Sequence, residues 1–245
     1  MTERGMIFNA EMVRAILAGR KTQTRRIMKV QPSEAFTPMN MALDTDYKAR
    51  WYTPGVVDKD GYLQPASKEV FGVSNENEGY SCPFGAVGDR IWVRETARCE
   101  WQRGDFKDAA FETGVTYKAD GEHQSFRSAE QHKTFPRRSH AANGDLAWHP
   151  SIHMPRWAIR ILLEITDVRV ERLNAISEED ARAEGIIDGG CLNCGEPEPC
   201  GCANPEPDAT DAFAYLWQSI YGQENWNANP WVWVIEFKRV EGGAA

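Results

Sequence analysis

The runs GDRIWVRETA (residues 88–97), WAIRILLEITDVRVERL (157–173) and PWVWVIEFKRV (230–240) confine the fold most, because each is patterned as a β-strand and they lie far apart in the chain. In the first, Ile91, Val93 and Glu95 fall on one face and Trp92, Arg94 and Thr96 on the other. The second is β-rich with an expected bend near Thr166–Asp167, and in the third Trp231, Trp233, Ile235 and Phe237 alternate as core residues. Between them lie short helical patterns. MIFNAEMVRAILAGRK reads as a strand and then a helix with Asn9 as N-cap and Gly19 as stop. SEEDARAEG has Ser177 and Asp180 spaced much like a capping box, acidic residues in its first turn and Gly185 as stop, so the helix ends at Glu184. DAFAYLWQSIYG supplies a third helix through Phe213, Leu216, Trp217 and Ile220. Mixed order with few crossover helices predicts a single α+β domain over 1–245, built around a small barrel-like sheet. About 30–80, 98–155 and 188–210 are expected to be insertions with little regular structure.

The densest chemical signal is AGRKTQTRR, residues 18–26. Between Arg14 and Lys29 six residues are basic and none is acidic, although the whole chain has 28 basic and 36 acidic residues and a formal net charge of -8. That balance argues against a nucleic-acid coat, whose affinity comes from neutralised phosphates, and leaves a local anionic or polar ligand open. The bland alternative is a solvated loop whose cations serve a helix C-terminus. The first residues, MTERGMIFNAEMV, contain no apolar leader, and no apolar run approaches membrane-spanning length, so a soluble, cytoplasmic protein is expected.

CLNCGEPEPCGC places Cys191, Cys194, Cys200 and Cys202 in one C-x-x-C and one C-x-C pair, a spacing that suits a compact tetrahedral Zn²⁺ knuckle of structural type. Free thiols are the alternative. Cys82 and Cys99 are isolated, and the five histidines read as loop residues, with Pro150 breaking the spacing between His149 and His153.

Gly19, Lys21, Thr24 and Arg26 fit Gly-x-Lys-x-x-Thr-x-Arg, and with GDRIWV, LEITDVRVERL, SEEDARAEGI and WVIEFKRV in the same order the chain resembles the ASCH family of PUA-like β-barrels. Within it the likeness is to the small N4-acetylcytidine amidohydrolases, whose active site of Lys, Thr and Glu maps onto Lys21, Thr24 and Glu184. The resemblance implies hydrolysis of an N4-acylated cytosine nucleoside to cytidine and a carboxylate, with no cofactor for catalysis. Thr24 would be the nucleophile, Lys21 its base, Glu184 a proton relay that orients Lys21, and Arg26 a substrate or oxyanion contact. Burial, or Arg25 and Arg26 nearby, would lower the Lys21 pKa enough to make it a base. The competing reading is a non-catalytic module that binds RNA or a modified nucleotide. Glu95 rivals Glu184 as the site carboxylate, since alternation turns it inward, where it needs a cation such as Lys21 or an arginine.

Overall fold

The computed structural model describes residues 1–102, 112–127, 147–187 and 209–240. In chain order its elements are β1 (Glu3–Ile7), α1 (Ala10–Leu17), β2 (Gln23–Ile27), the short strands β3 (Arg50–Tyr52), β4 (Gly55–Val57), β5 (Leu63–Pro65), β6 (Val70–Ser74) and β7 (Gly79–Ser81), then β8 (Arg90–Arg94), β9 (Ala97–Gln102), β10 (Glu112–Tyr117), β11 (His123–Arg127), β12 (Leu162–Arg172), α2 (Glu178–Ala183), α3 (Ala209–Tyr221), α4 (Gln223–Asn227) and β13 (Trp231–Arg239). The architecture is α+β with strands dominating. Among the described residues no helix is long and apolar enough to cross a membrane.

The chain groups into two compact units, each gathered from separated stretches, where the sequence reads as one domain with insertions. The first comprises Met1–Gly19, Arg90–Glu164 and Lys238–Ala245. In it β1 runs parallel to β8, from Glu3↔Arg90 to Ile7↔Arg94, and β8 pairs antiparallel with the start of β12. Ile91, Val93 and Glu95 are all buried, as alternation predicts. Asn9 caps α1 by accepting from the Met12 N–H. The expectation of an irregular stretch over 98–155 is corrected here: β9, β10 and β11 form an antiparallel sheet. Its apolar side, with Cys99, Val115 and Tyr117, packs on Ala158, Ile159 and Leu162. Only one face is apolar and the strands are short, so the polar residues conceal the pattern. The Asp120–Gly121 turn between β10 and β11 was the legible sign of a hairpin.

The second unit comprises Arg20–Asp89 and Ile165–Phe237. Here β2 pairs antiparallel with β13, from Gln23↔Glu236 to Ile27↔Val232. Val232 and Val234 face a core with Leu173, Ala181, Phe213 and Trp217, while Trp231, Trp233, Ile235 and Phe237 are buried as well, so β13 is covered on both sides. Along β12 the buried positions shift from Leu163 and Ile165 to Val168 and Val170, a one-residue change of phase at Thr166–Asp167, where the sequence predicts a bend. The stretch 30–80 also departs from expectation, since it holds a three-stranded sheet β3-β6-β7 and the hairpin β4-β5. Three-residue strands are too short to display a period. The strand order is open rather than closed into a barrel: among the described residues β1 pairs only with β8, and β2 only with β13.

Candidate active site

The local chain path brings the basic loop to the end of α2. Arg20 Nη1 donates to the Gly185 carbonyl at 3.0 Å, and the Thr22 N–H donates to the Ala183 carbonyl at 2.9 Å. Lys21 and Glu184 lie between these two links. Gly19 (φ 72) and Gly185 (φ 92) take the left-handed conformations that stop the two helices and turn the chain into this contact. Ser177 caps the start of α2 by accepting from the Asp180 N–H at 3.1 Å, so both ends of that short helix are defined.

Lys21 Nζ donates to Glu184 Oε2 at 2.5 Å and to the Glu184 carbonyl at 2.8 Å. Both side chains are closed to solvent, at 0% and 4% exposure. A carboxylate at a helix C-terminus faces the negative end of the dipole and needs cations. Two meet it, because Arg25 Nη1 donates to Glu184 Oε1 at 3.3 Å. Burial pushes Lys21 below the ordinary lysine value, Glu184 pulls it back up, and Arg26 and Arg25 add to the lowering.

A wider set of charges surrounds this pair. Arg25 donates through Nε and Nη2 to Glu171 Oε1, at 2.8 and 2.5 Å, and through Nη2 to Asp180 Oδ2 at 3.0 Å. Arg169 shares Asp180 at 2.9 Å and holds Glu236 at 2.5 Å. The Arg25 guanidinium lies 5.7 Å from the centre of the Phe213 ring. Sequence reasoning assigned no role to Glu171 or Arg169, and gave Asp180 only a place in the capping of α2. The readable sign was the alternation of β12, where Arg169 and Glu171 share one face and Val168 and Val170 the other.

Thr24 is buried on β2 opposite Ile235. Alternation puts it on the face of β2 shared with Arg26, away from Gln23 and Arg25. Among the described residues Lys21 gives its side-chain hydrogen bonds to Glu184 and none to Thr24. Arg26 is half-buried and lies opposite Trp233.

Glu95 has a different partner from Lys21. In the first unit Arg160 donates to both of its oxygens, at 2.9 and 2.8 Å, and also to Asp120 and Glu122, each at 2.7 Å. The Arg160 guanidinium stacks 4.2 Å from the centre of the Tyr117 ring. Burial pushes the Glu95 carboxyl up, Arg160 opposes this, and Asp120 and Glu122 reinforce it. Cys191, Cys194, Cys200 and Cys202 lie outside the described residues; Cys82 is partly buried and Cys99 is buried. A cavity of about 610 Å³ in the second unit is lined by Met39, Leu43, Arg50, Trp51 and Asn75, and neither Lys21, Thr24 nor Glu184 lines it.

No family model matches the chain, and neither a curated protein nor a solved structure is similar to it.

Proposed function

We propose that the chain is a cytoplasmic amidohydrolase of the PUA-like ASCH type that cleaves the N4-acyl amide of N4-acylated cytosine nucleosides. The observation that supports this most is the closed Lys21–Glu184 pair, in which a lysine with lowered proton affinity is held by a carboxylate. In its neutral form Lys21 would spend its two hydrogens on Glu184 and keep a lone pair for a substrate-side proton. In this reading the Thr24 hydroxyl attacks the acyl carbon and gives its proton to Lys21. The tetrahedral intermediate then breaks its C–N4 bond, and Lys21, steadied by Glu184, returns the proton to the leaving nitrogen. Water hydrolyses the acyl-threonine, releasing the carboxylate. Arg26, on the Thr24 side of β2, contacts the developing oxyanion. Because Lys21, Thr24 and Glu184 are all buried, turnover needs the side chains covering them to move aside.

The non-catalytic alternative has less to draw on. Lys21 and Arg25, central to the basic loop, are enclosed and matched to carboxylates, so they are poorly disposed to neutralise phosphates. Structural Zn²⁺ on Cys191, Cys194, Cys200 and Cys202 is a separate proposal, tested by finding about one zinc per chain in the purified protein and its loss in Cys191→Ser.

The decisive experiment incubates the protein with N4-acetylcytidine and follows cytidine release by chromatography. Release should fall by about a thousandfold or more in Thr24→Ala and in Lys21→Ala. No release from a folded protein sinks the proposal, and RNA titration at two salt concentrations then tests the binding module.

A further inference from the structure

We infer that Arg25 is a positioning residue: it holds one oxygen of Glu184 so that the other meets Lys21, and it is locked in place by Glu171 and Asp180. The inference rests on reading Lys21 and Glu184 as the working pair.

The two oxygens of Glu184 are divided between two cations, Oε2 to Lys21 at 2.5 Å and Oε1 to Arg25 at 3.3 Å. A carboxylate held at one oxygen alone keeps a free torsion about its last carbon–carbon bond. Held at both, it presents a fixed acceptor. Arg25 is placed to do this: its side chain is 0% exposed and pairs with the carboxylates of Glu171, Asp180 and Glu184. Asp180 and Glu184 are four apart, so α2 sets them one turn apart on one face, and the guanidinium spans the two. The support continues outward, since Arg169 shares Asp180 with Arg25 and is tethered to Glu236. Parts of β2, β12, β13 and α2 thus converge on the orientation of one carboxylate.

Only a planar fork fits this task. A lysine at position 25 would keep the charge but offers one nitrogen, which cannot reach Glu171, Asp180 and Glu184 together. Charge alone and geometry therefore make different predictions for Arg25→Lys.

The test compares the unaltered chain with Arg25→Lys and Arg25→Met. NMR on ¹³C-lysine-labelled protein follows the Lys21 titration, and N4-acetylcytidine turnover is measured against pH in parallel. With Glu184 no longer held at Oε1 its hydrogen bond to Lys21 weakens, and because that bond raises Lys21, the titration should move to lower pH in Arg25→Lys, while in Arg25→Met the lost positive charge opposes the shift. The pH profile of kcat should move with it, kcat falling about a hundredfold while KM changes little. An Arg25→Lys protein whose Lys21 titration and kcat profile match those of the unaltered chain overturns the inference. Should the variants not fold, the unaltered protein decides: the Arg25 Nε–H signal must exchange slowly and shift with the Lys21 midpoint, and a fast-exchanging or independent signal rejects the idea. If the unaltered chain releases no cytidine, the hydrolase reading fails, while the Lys21 titration still tests Arg25.

Discussion

Lys21 and Glu184 owe their states to each other. Glu184 without Lys21 would still have Arg25, but charged Lys21 without Glu184 would lose its carboxylate partner in a closed site, which typically costs about 3–5 kcal/mol, whereas replacing a buried pair by apolar groups of similar size is often neutral. Glu184→Gln should accordingly lower unfolding free energy by about that amount in urea titrations, and Lys21→Met with Glu184→Leu should recover most of it. The pair also ties stability to pH. The folded-state value of Lys21 lies below 10.5, so the folded chain binds fewer protons than the unfolded chain between the two values, and stability should rise as pH climbs through that window. Asp180 works at the other end of the scale. Burial pushes its carboxyl up, but Arg169 and Arg25 together outweigh this and leave it below 3.8. Its contribution is therefore present above 3.8 and lost as pH falls through the folded value. Urea midpoints measured across pH should show both trends, the upper one absent in Lys21→Met and the lower one in Asp180→Asn. At this scale the spacing of Lys21, Thr24 and Arg26 was readable, but the part played by Arg25 was not, because its carboxylates come from β12 and α2.

At the scale of elements, α2 and its C-cap supply Asp180 and Glu184 although the helix is only Glu178–Ala183. A helix this short does not hold itself together; caps and packing must do so. Ser177 supplies the first cap, and Lys21 covers the Glu184 carbonyl at the other end. Glu178 reaches out of α2 to accept from the Ala209 and Thr210 N–H groups, both at 3.0 Å, which secures the start of α3. Ser177→Ala should cost about 1 kcal/mol in global stability. It should also speed amide exchange at Glu184 and Gly185 relative to β13, measured by hydrogen exchange. These helix limits were legible because capping is local: Asn9, Gly19, Ser177 and Gly185 act on neighbours three or four residues away. The strands of 30–80 and β9 to β11 were not, since a short strand with one apolar face resembles a polar loop until its partners are known.

For the molecule as a whole, each unit has its own buried ionic cluster, and only one of them contains the Lys-Thr motif. Arg160 and Glu95 are both 2% exposed, so Arg160→Met should leave Glu95 stranded and destabilise the chain by about 3–5 kcal/mol in urea. Glu95→Gln should lower stability yet leave N4-acetylcytidine turnover within about twofold, whereas Glu184→Gln should abolish it; equal losses in the two would return Glu95 to the site. The long strands and the capped helices, the inward turn of Glu95 and the spacing of Lys21 and Thr24 could be read along the chain, because periodicity, capping and spacing are properties of neighbouring residues. Which carboxylate meets Lys21, that Arg160 takes Glu95, and that Arg25 binds Glu171, Asp180 and Glu184 depended on strand register and helix docking. Those contacts join residues up to 163 positions apart, and no local pattern encodes such a distance.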